Sequence, residues 1–277
     1  MTYLVEKGVP IARSCRLAGM PRSTYYHESG PRGRRPFDPV LRQAILDVAL
    51  ERPSFGYRRT TAMVRRRLRR PVNEKAVRRI LKAERLLLPP CVVERTRVRK
   101  HPGRQITDHP DVAWQMDMKY VWCGRDGWAF LQNVVDCCTS EWLGYVFRKT
   151  AGAPDACDLL DQVVQERFPA ACLAPATVLR VDNMPAYASD RFREHARLLG
   201  MRPEHIQKQT PEDNGVVESF HAGLERDYLG TLVFDSFAEA ETYLAWARED
   251  YNTVKPKQRL RWMTPSEYHE EVSVSAK

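Results

Sequence analysis

From Val112 onward the chain alternates: Trp114, Met116, Met118, Tyr120 and Trp122 fall on one side of an extended segment, Gln115, Asp117 and Lys119 on the other. CGRDG (123–127) carries an Asp-Gly hairpin signal, and 128–140 and 142–150 supply two further strands of an antiparallel meander. The period then lengthens to that of a helix over 154–169, with Leu159, Leu160, Val163 and Val164 facing inward. TVLRVDN (177–183) is an apolar run that predicts a strand buried on both faces. A helix over 189–200 stops at Gly200, a short strand follows over 201–207, and Val217, Phe220, Leu224 and Tyr228 mark the apolar stripe of another helix. The predicted class is α/β: three antiparallel strands, then mixed strands and helices.

The first hundred residues lack the two-residue period. Residues 1–29 predict a partial helix-turn-helix: a helix with Val9, Ile11, Ala12, Cys15 and Leu17 apolar, a break at Gly19 and Pro21, and a second helix opened by Arg22 and Ser23. A Gly, Pro and Arg linker (30–36) leads to a basic helical domain over 38–88, in segments 38–53, 55–71 and 72–88. Asn73 is a candidate N-cap for the last segment, whose stripe is Val77, Ile80 and Leu81. Residues 89–110 are a basic linker, 111–232 the core, and 233–277 a helical extension with capping signatures at Ser236/Glu239 and Thr264/Glu267.

Charge changes the picture more than overall composition does. Residues 1–110 carry 26 Lys and Arg against 9 Asp and Glu, a balance of +17, whereas the whole chain is only +9 and the remainder is −8. A polyanion-binding front half joined to an acidic back half follows. Arg22, Arg58, Arg59, Lys75, Arg78, Arg79, Lys82, Lys208 and Arg226 are the candidate DNA contacts, with Lys255, Lys257, Arg259 and Arg261 as further cations near the end. The seven cysteines show neither CxxC pairs nor zinc-finger spacing, which suits packed thiols in a reducing cytosol. With no signal peptide and no long apolar run, the expected location is the cytoplasm, at the nucleoid, with no membrane partner.

Three acids stand out by context. Asp117 lies inside a strand, Asp182 ends an apolar strand, and Glu218 sits on the polar side of a helix; 35 residues (183–217) separate the last two. Two carboxylates about 4 Å apart repel by roughly 4 kcal/mol at an effective dielectric of 20, so clustered acids imply a bound cation. Carboxylate oxygens suit Mg²⁺ or Mn²⁺, and two such ions stabilise phosphoryl transfer at a DNA phosphodiester. Asp136 reads instead as structural, bonding groups at its strand end.

FGYRR (55–59), VNEKAVRRILKAERLL (72–87), WQMDMKY (114–120), VVDCCTSEWLGY (134–145), VDNMPAY (181–187), PEDNGVVESF (211–220) and YNTVKPKQRLRWMTPSEY (251–268) together resemble the DDE transposases and retroviral integrases. They are most similar to the OrfB, integrase-core subunit of two-frame bacterial insertion sequences. The resemblance implies a ribonuclease H-like integrase core with Asp117, Asp182 and Glu218 as catalytic and metal-binding triad, and Asn183 and Asn214 in support. It also implies strand cleavage and strand transfer at element ends, a homo-oligomer on DNA and an upstream-frame OrfA partner. The alternative is a DNA-binding regulator or decay product with an impaired core. This chain departs from the family pattern at Met184, where Gly is usual, at Glu225, where Lys or Arg is usual, and at Lys257, where His is usual.

Overall fold

The computed structural model describes residues 2–26, 37–89, 107–206, 215–230 and 232–275. Two of the expected site residues, Lys208 and Asn214, and the greater part of both linkers, lie outside the described residues. The chain divides into two compact units, 1–39 and 40–277. In the first, α1 (Thr2–Glu6), α2 (Ile11–Leu17) and α3 (Arg22–Tyr25) are short helices; Ser14 and Cys15 are buried and Arg22 is exposed.

The second unit opens with α4 (Pro39–Glu51), α5 (Tyr57–Leu68) and α6 (Glu74–Ala83). Ile45, Val48, Val64, Val77, Ile80 and Leu81 form their buried interior. Each fully buried aliphatic side chain of this kind contributes about 1.5–3 kcal/mol. Arg69 takes a left-handed conformation that ends α5, and Asn73 accepts the Lys75 N–H at 2.9 Å, capping α6 as its sequence predicts.

A five-stranded sheet follows, in the order β3-β2-β1-β4-β5. β1 (Ala113–Trp122), β2 (Trp128–Asp136) and β3 (Trp142–Arg148) pair antiparallel, while β4 (Val178–Val181) and β5 (Arg202–His205) run parallel to β1. On one face, Trp114, Met116, Val134, Leu179 and Val181 pack with α7 (Ala153–Arg167), α8 (Pro185–Ala188) and α9 (Asp190–Leu198). On the other, Val121, Leu131, Val135 and Val178 pack with α10 (Gly215–Leu224) and α11 (Phe237–Thr253). α7 comes so close to β3 that a Cβ at Gly144 would sit 2.5 Å from Val163 Cγ2. α12 (Pro265–Ser275) begins with a reciprocal box, Glu267 N to Thr264 Oγ1 at 3.3 Å and Thr264 N to Glu267 Oε2 at 2.9 Å.

Two features were not readable from the pattern. The apolar side of β1 is buried only at Trp114 and Met116; Tyr120 and Trp122 on the same side are 56% and 47% exposed. Three of the four cations near the end are committed inside the chain. Lys255 is buried against Asp227, Lys257 bonds Tyr251 Oη and the Ser140 carbonyl, and Arg259 bonds the Cys137 and Cys138 carbonyls. A buried cation must be paired or hydrogen-bonded, and Asp227 and these carbonyl and hydroxyl groups supply the partners.

Candidate active site

β4 pairs with β1 in parallel up to Met116 and Val181, so Asp117 and Asp182 are the next position on each strand. Strands about 4.8 Å apart place residues in register on the same face. That face lies beneath α10. Val217 N donates to Gln115 Oε1 at 2.9 Å, His221 Nδ1 stands 3.6 Å from Asp117 Oδ2, and Lys119 Nζ pairs with Glu225 Oε2 at 2.9 Å. Residues 217, 221 and 225 thus follow 115, 117 and 119 along the strand. Glu218, exposed, precedes His221 by one helical turn on the same side of α10.

The local bonding explains how each acid is held. Asp117 Oδ1 accepts the Met118 N–H at 2.8 Å, on the stretch of β1 beyond its pairing with β4. Asp182 follows the last residue of β4, and its Oδ1 accepts the Met184 N–H at 3.0 Å, a turn that starts α8. Burial pushes the Asp182 carboxyl up from its ordinary pKa, against the lowering effect of the Met184 N–H and of His205. Burial, followed by the charges of Asp117 and Asp182, raises the Tyr187 phenol well above its ordinary value. The Tyr187 hydroxyl is buried without a hydrogen-bond partner among the described residues. His221 is pushed down to about 4 by burial and then by Lys119, and is therefore neutral at pH 7. Asn133 Nδ2, which also donates to the Leu131 carbonyl at 3.1 Å, lies 3.2 Å from His221 Nε2.

Met184 adopts φ −61°, so the position usually held by Gly requires no left-handed backbone here. Glu225 opens a π-helical turn (Glu225–Leu229) that continues α10, a feature often found at functional sites. The cation usual at that helix position is absent, but Lys119 brings one to the same place from β1. Asp136, with no place among these acids, accepts from Asp111 N, Thr139 N and Thr139 Oγ1 at 2.9, 2.6 and 2.9 Å. Its role at the strand end is structural, as its sequence context suggests.

The other candidates are dispersed. Asn183 Nδ2 donates to the Ile206 carbonyl at 2.8 Å, tying the end of β4 to that of β5. Lys75, Arg78, Arg79 and Lys82 are exposed on α6, and Arg58 is exposed on α5 over the Tyr57 ring. Arg59 instead turns inward to Asp227 at 3.0 Å, and half-exposed Arg226 bonds the same carboxylate. His221, Asn133 and Tyr187 are not among the sequence candidates for the site; the packing of α10, β2 and α8 around β1 brings them to it. Among the described residues no three His, Cys, Asp or Glu side chains are close enough to hold one metal ion. The donor chemistry of the Asp117 and Asp182 positions, hard carboxylate oxygens each one residue past the last β1–β4 pair, with the His221 imidazole beside Asp117, nevertheless fits a hard divalent cation.

A mixed sheet of this order, three antiparallel strands extended by two parallel ones and layered with helices, is the ribonuclease H-like architecture of an integrase core. Residues 107–211 and 199–265 each match an integrase core domain family, and residues 38–91 match an HTH-like domain family. The chain is 29% identical over 271 residues to the Escherichia coli transposase InsD for insertion element IS2A/D/F/H/I/K, covering 96% of this chain and 89% of that protein. InsD for IS2-9 of E. coli strain K12 is also 29% identical, with 96% and 88% covered. Among solved structures, the simian T-cell lymphotropic virus intasome bound to PP2A regulatory subunit B56 gamma aligns at 18% identity over 82% of this chain and 74% of that one, with a TM-score of 0.49. The chain belongs to the integrase-core transposases, of the OrfB type encoded by insertion sequences.

Proposed function

We propose that Asp117, Asp182 and Glu218 carry a metal-dependent polynucleotidyl transfer: hydrolytic cleavage at the ends of an insertion sequence, then joining of the freed 3′-OH to target DNA. The observation that carries this reading is that Asp117 and Asp182 each stand one residue past the last β1–β4 pair, Met116 and Val181, at the end of the sheet on which the helix bearing Glu218 packs. Bound Mg²⁺ or Mn²⁺, two ions in the complete site, would polarise the phosphate and neutralise charge on the attacking and leaving oxygens. Asp117 and Asp182 would hold the metal from the sheet, and Glu218 would complete the set from α10. The chain's own contribution is positional. The Met118 and Met184 N–H groups orient the two aspartates, and Val217 N on Gln115 anchors the first turn of α10 over them. Neutral His221 adds no positive charge that would compete with a cation.

DNA is the substrate on this reading. The exposed cations of α6 and Arg58 bind its phosphates, and Arg22 makes a further contact from the first unit. Asn183 supports the site by fixing the loop after Asp182; from the sequence alone, Asn214 is assigned a supporting role and Lys208 a DNA contact. The working form is a homo-oligomer on paired element ends, in the cytoplasm, with an OrfA protein from an upstream frame as partner. A marked element excised and reinserted in cells tests the proposal. Asp117→Asn, Asp182→Asn and Glu218→Gln should each abolish transposition while the purified variants still bind DNA; transposition by any of them at the wild-type frequency would overturn the triad.

A further inference from the structure

Among the described residues β4 pairs with β1 only over residues 113–116, and no other described strand continues that pairing along the edge beyond Met116. Along this edge runs a groove of about 590 Å³, reaching from His221 and Lys119 at one end to Trp122 and Trp128 at the other. Its volume lies within the roughly 300–1,000 Å³ typical of ligand pockets. Tyr120, Trp122 and Trp128 are 56%, 47% and 58% exposed, with Trp122 and Trp128 edge to face at 5.2 Å and Tyr120 6.4 Å from Trp128. Alternation along β1 puts Lys119 on the Asp117 side of the strand and Tyr120 and Trp122 on the other. A linear ligand along the edge therefore meets Lys119, ion-paired with Glu225 of the same groove, on one side and flat aromatic faces on the other.

We infer that this groove holds unpaired nucleotides of the DNA strand whose phosphate lies at Asp117 and Asp182, with the backbone toward Lys119 and the bases stacked on Trp122 and Trp128. Continuity with the acid site argues for this occupant: the same groove is lined by Lys119, two residues from Asp117, and by His221, which faces Asp117. Exposed indoles beside a cation form the stacking platform that single strands use. The inference rests on the catalytic reading for which phosphate is placed where, but binding at the groove is measured without catalysis.

The test uses the full chain in EDTA with two duplexes of one arbitrary sequence, fully paired or with a short unpaired end. Base stacking tolerates any sequence, so the element's own ends are not needed. Trp122→Ala and Trp128→Ala should each weaken binding of the unpaired-end duplex about ten-fold, leave the paired duplex unaffected, and remove quenching of tryptophan fluorescence by the unpaired end. Trp128→Phe, which keeps a stacking ring, should restore most of the affinity. Both indoles are half exposed, so the variants should keep the wild-type melting temperature, measured alongside. Equal loss on both duplexes, or no loss on either, would overturn the proposal. So would a fall in sedimentation coefficient with unchanged DNA binding, which would make the patch a contact between copies of this chain. Because metal is absent, failure here is independent of strand transfer by Asp182→Asn, on which the catalytic reading stands or falls.

Discussion

Replacing Asp227 by Asn should unsettle the join between the helical region and the catalytic core. Asp227 lies in the π-helical turn after α10 with its side chain 1% exposed; Lys255 Nζ, 3% exposed, pairs with it at 2.6 Å and Arg59 of α5 at 3.0 Å. Burial opposes its ionisation, but hydrogen bonds from Arg226 and the charges of Lys255 and Arg59 outweigh burial and hold the carboxyl well below the usual range. Removing the anion from a buried pair strands its cations, at about 3–5 kcal/mol. At roughly 2–4 °C per kcal/mol for a core of this size, the melting temperature should fall by about 6–20 °C. Arg226→Ala is the internal comparison: its side chain is 54% exposed, and Lys255 and Arg59 still neutralise the buried carboxylate when it is gone, so its loss should cost less than Asp227→Asn. The assay is thermal unfolding by circular dichroism at pH 7. The sign with pH follows from the depressed pKa. Ionised Asp227 contributes its stability above the ordinary aspartate value of 3.8 and loses it as pH falls from there through the folded-state value. Asp227→Asn melting with the wild type, or no lower than Arg226→Ala, would refute the reasoning.

Three further outcomes follow. His221 should stay neutral from pH 8 down to about pH 5, because its pKa lies at about 4. Imidazole NMR shifts should show this, and its contribution to stability should fall as pH drops from the ordinary 6.5 to about 4, since only the unfolded chain gains the proton in that window. Gly144→Ala should destabilise the core by about 1–3 kcal/mol in urea unfolding, because its Cβ would meet Val163 at 2.5 Å. Asp182→Asn should melt no lower than wild type without metal: burial raises the carboxyl's pKa, so the charge it carries at neutral pH costs stability that Asn does not.

The layout of the core was readable because its periods are clean. The two-residue alternation of 114–122 and the continuous apolar run of 177–181 place Asp117 inside one strand and Asp182 just past another. Asn73, Thr264 and Glu267 announced their caps because capping depends on residues three apart or fewer. What could not be read depends on long-range register. Charge pattern alone put Arg59 among the DNA contacts and Lys255 near DNA, yet their partner Asp227 lies 168 residues from Arg59. Tyr120 and Trp122 share a side of β1 with buried Trp114 and Met116 yet are exposed, because alternation gives the face, not the length of the strand that helices cover. The pairing of Lys119 with Glu225 likewise joins two elements far apart in the chain, and makes sense of an acid where the family usually has a base.

Strand transfer by the purified chain tests the central claim most directly. End oligonucleotides taken from the DNA flanking the reading frame are incubated with plasmid target in Mg²⁺ or Mn²⁺, and the wild type is compared with Asp182→Asn at equal DNA occupancy. Joined product that requires the metal, disappears in EDTA and is absent with Asp182→Asn is the predicted result. Product formed equally by wild type and Asp182→Asn, or formed in EDTA, would contradict the account.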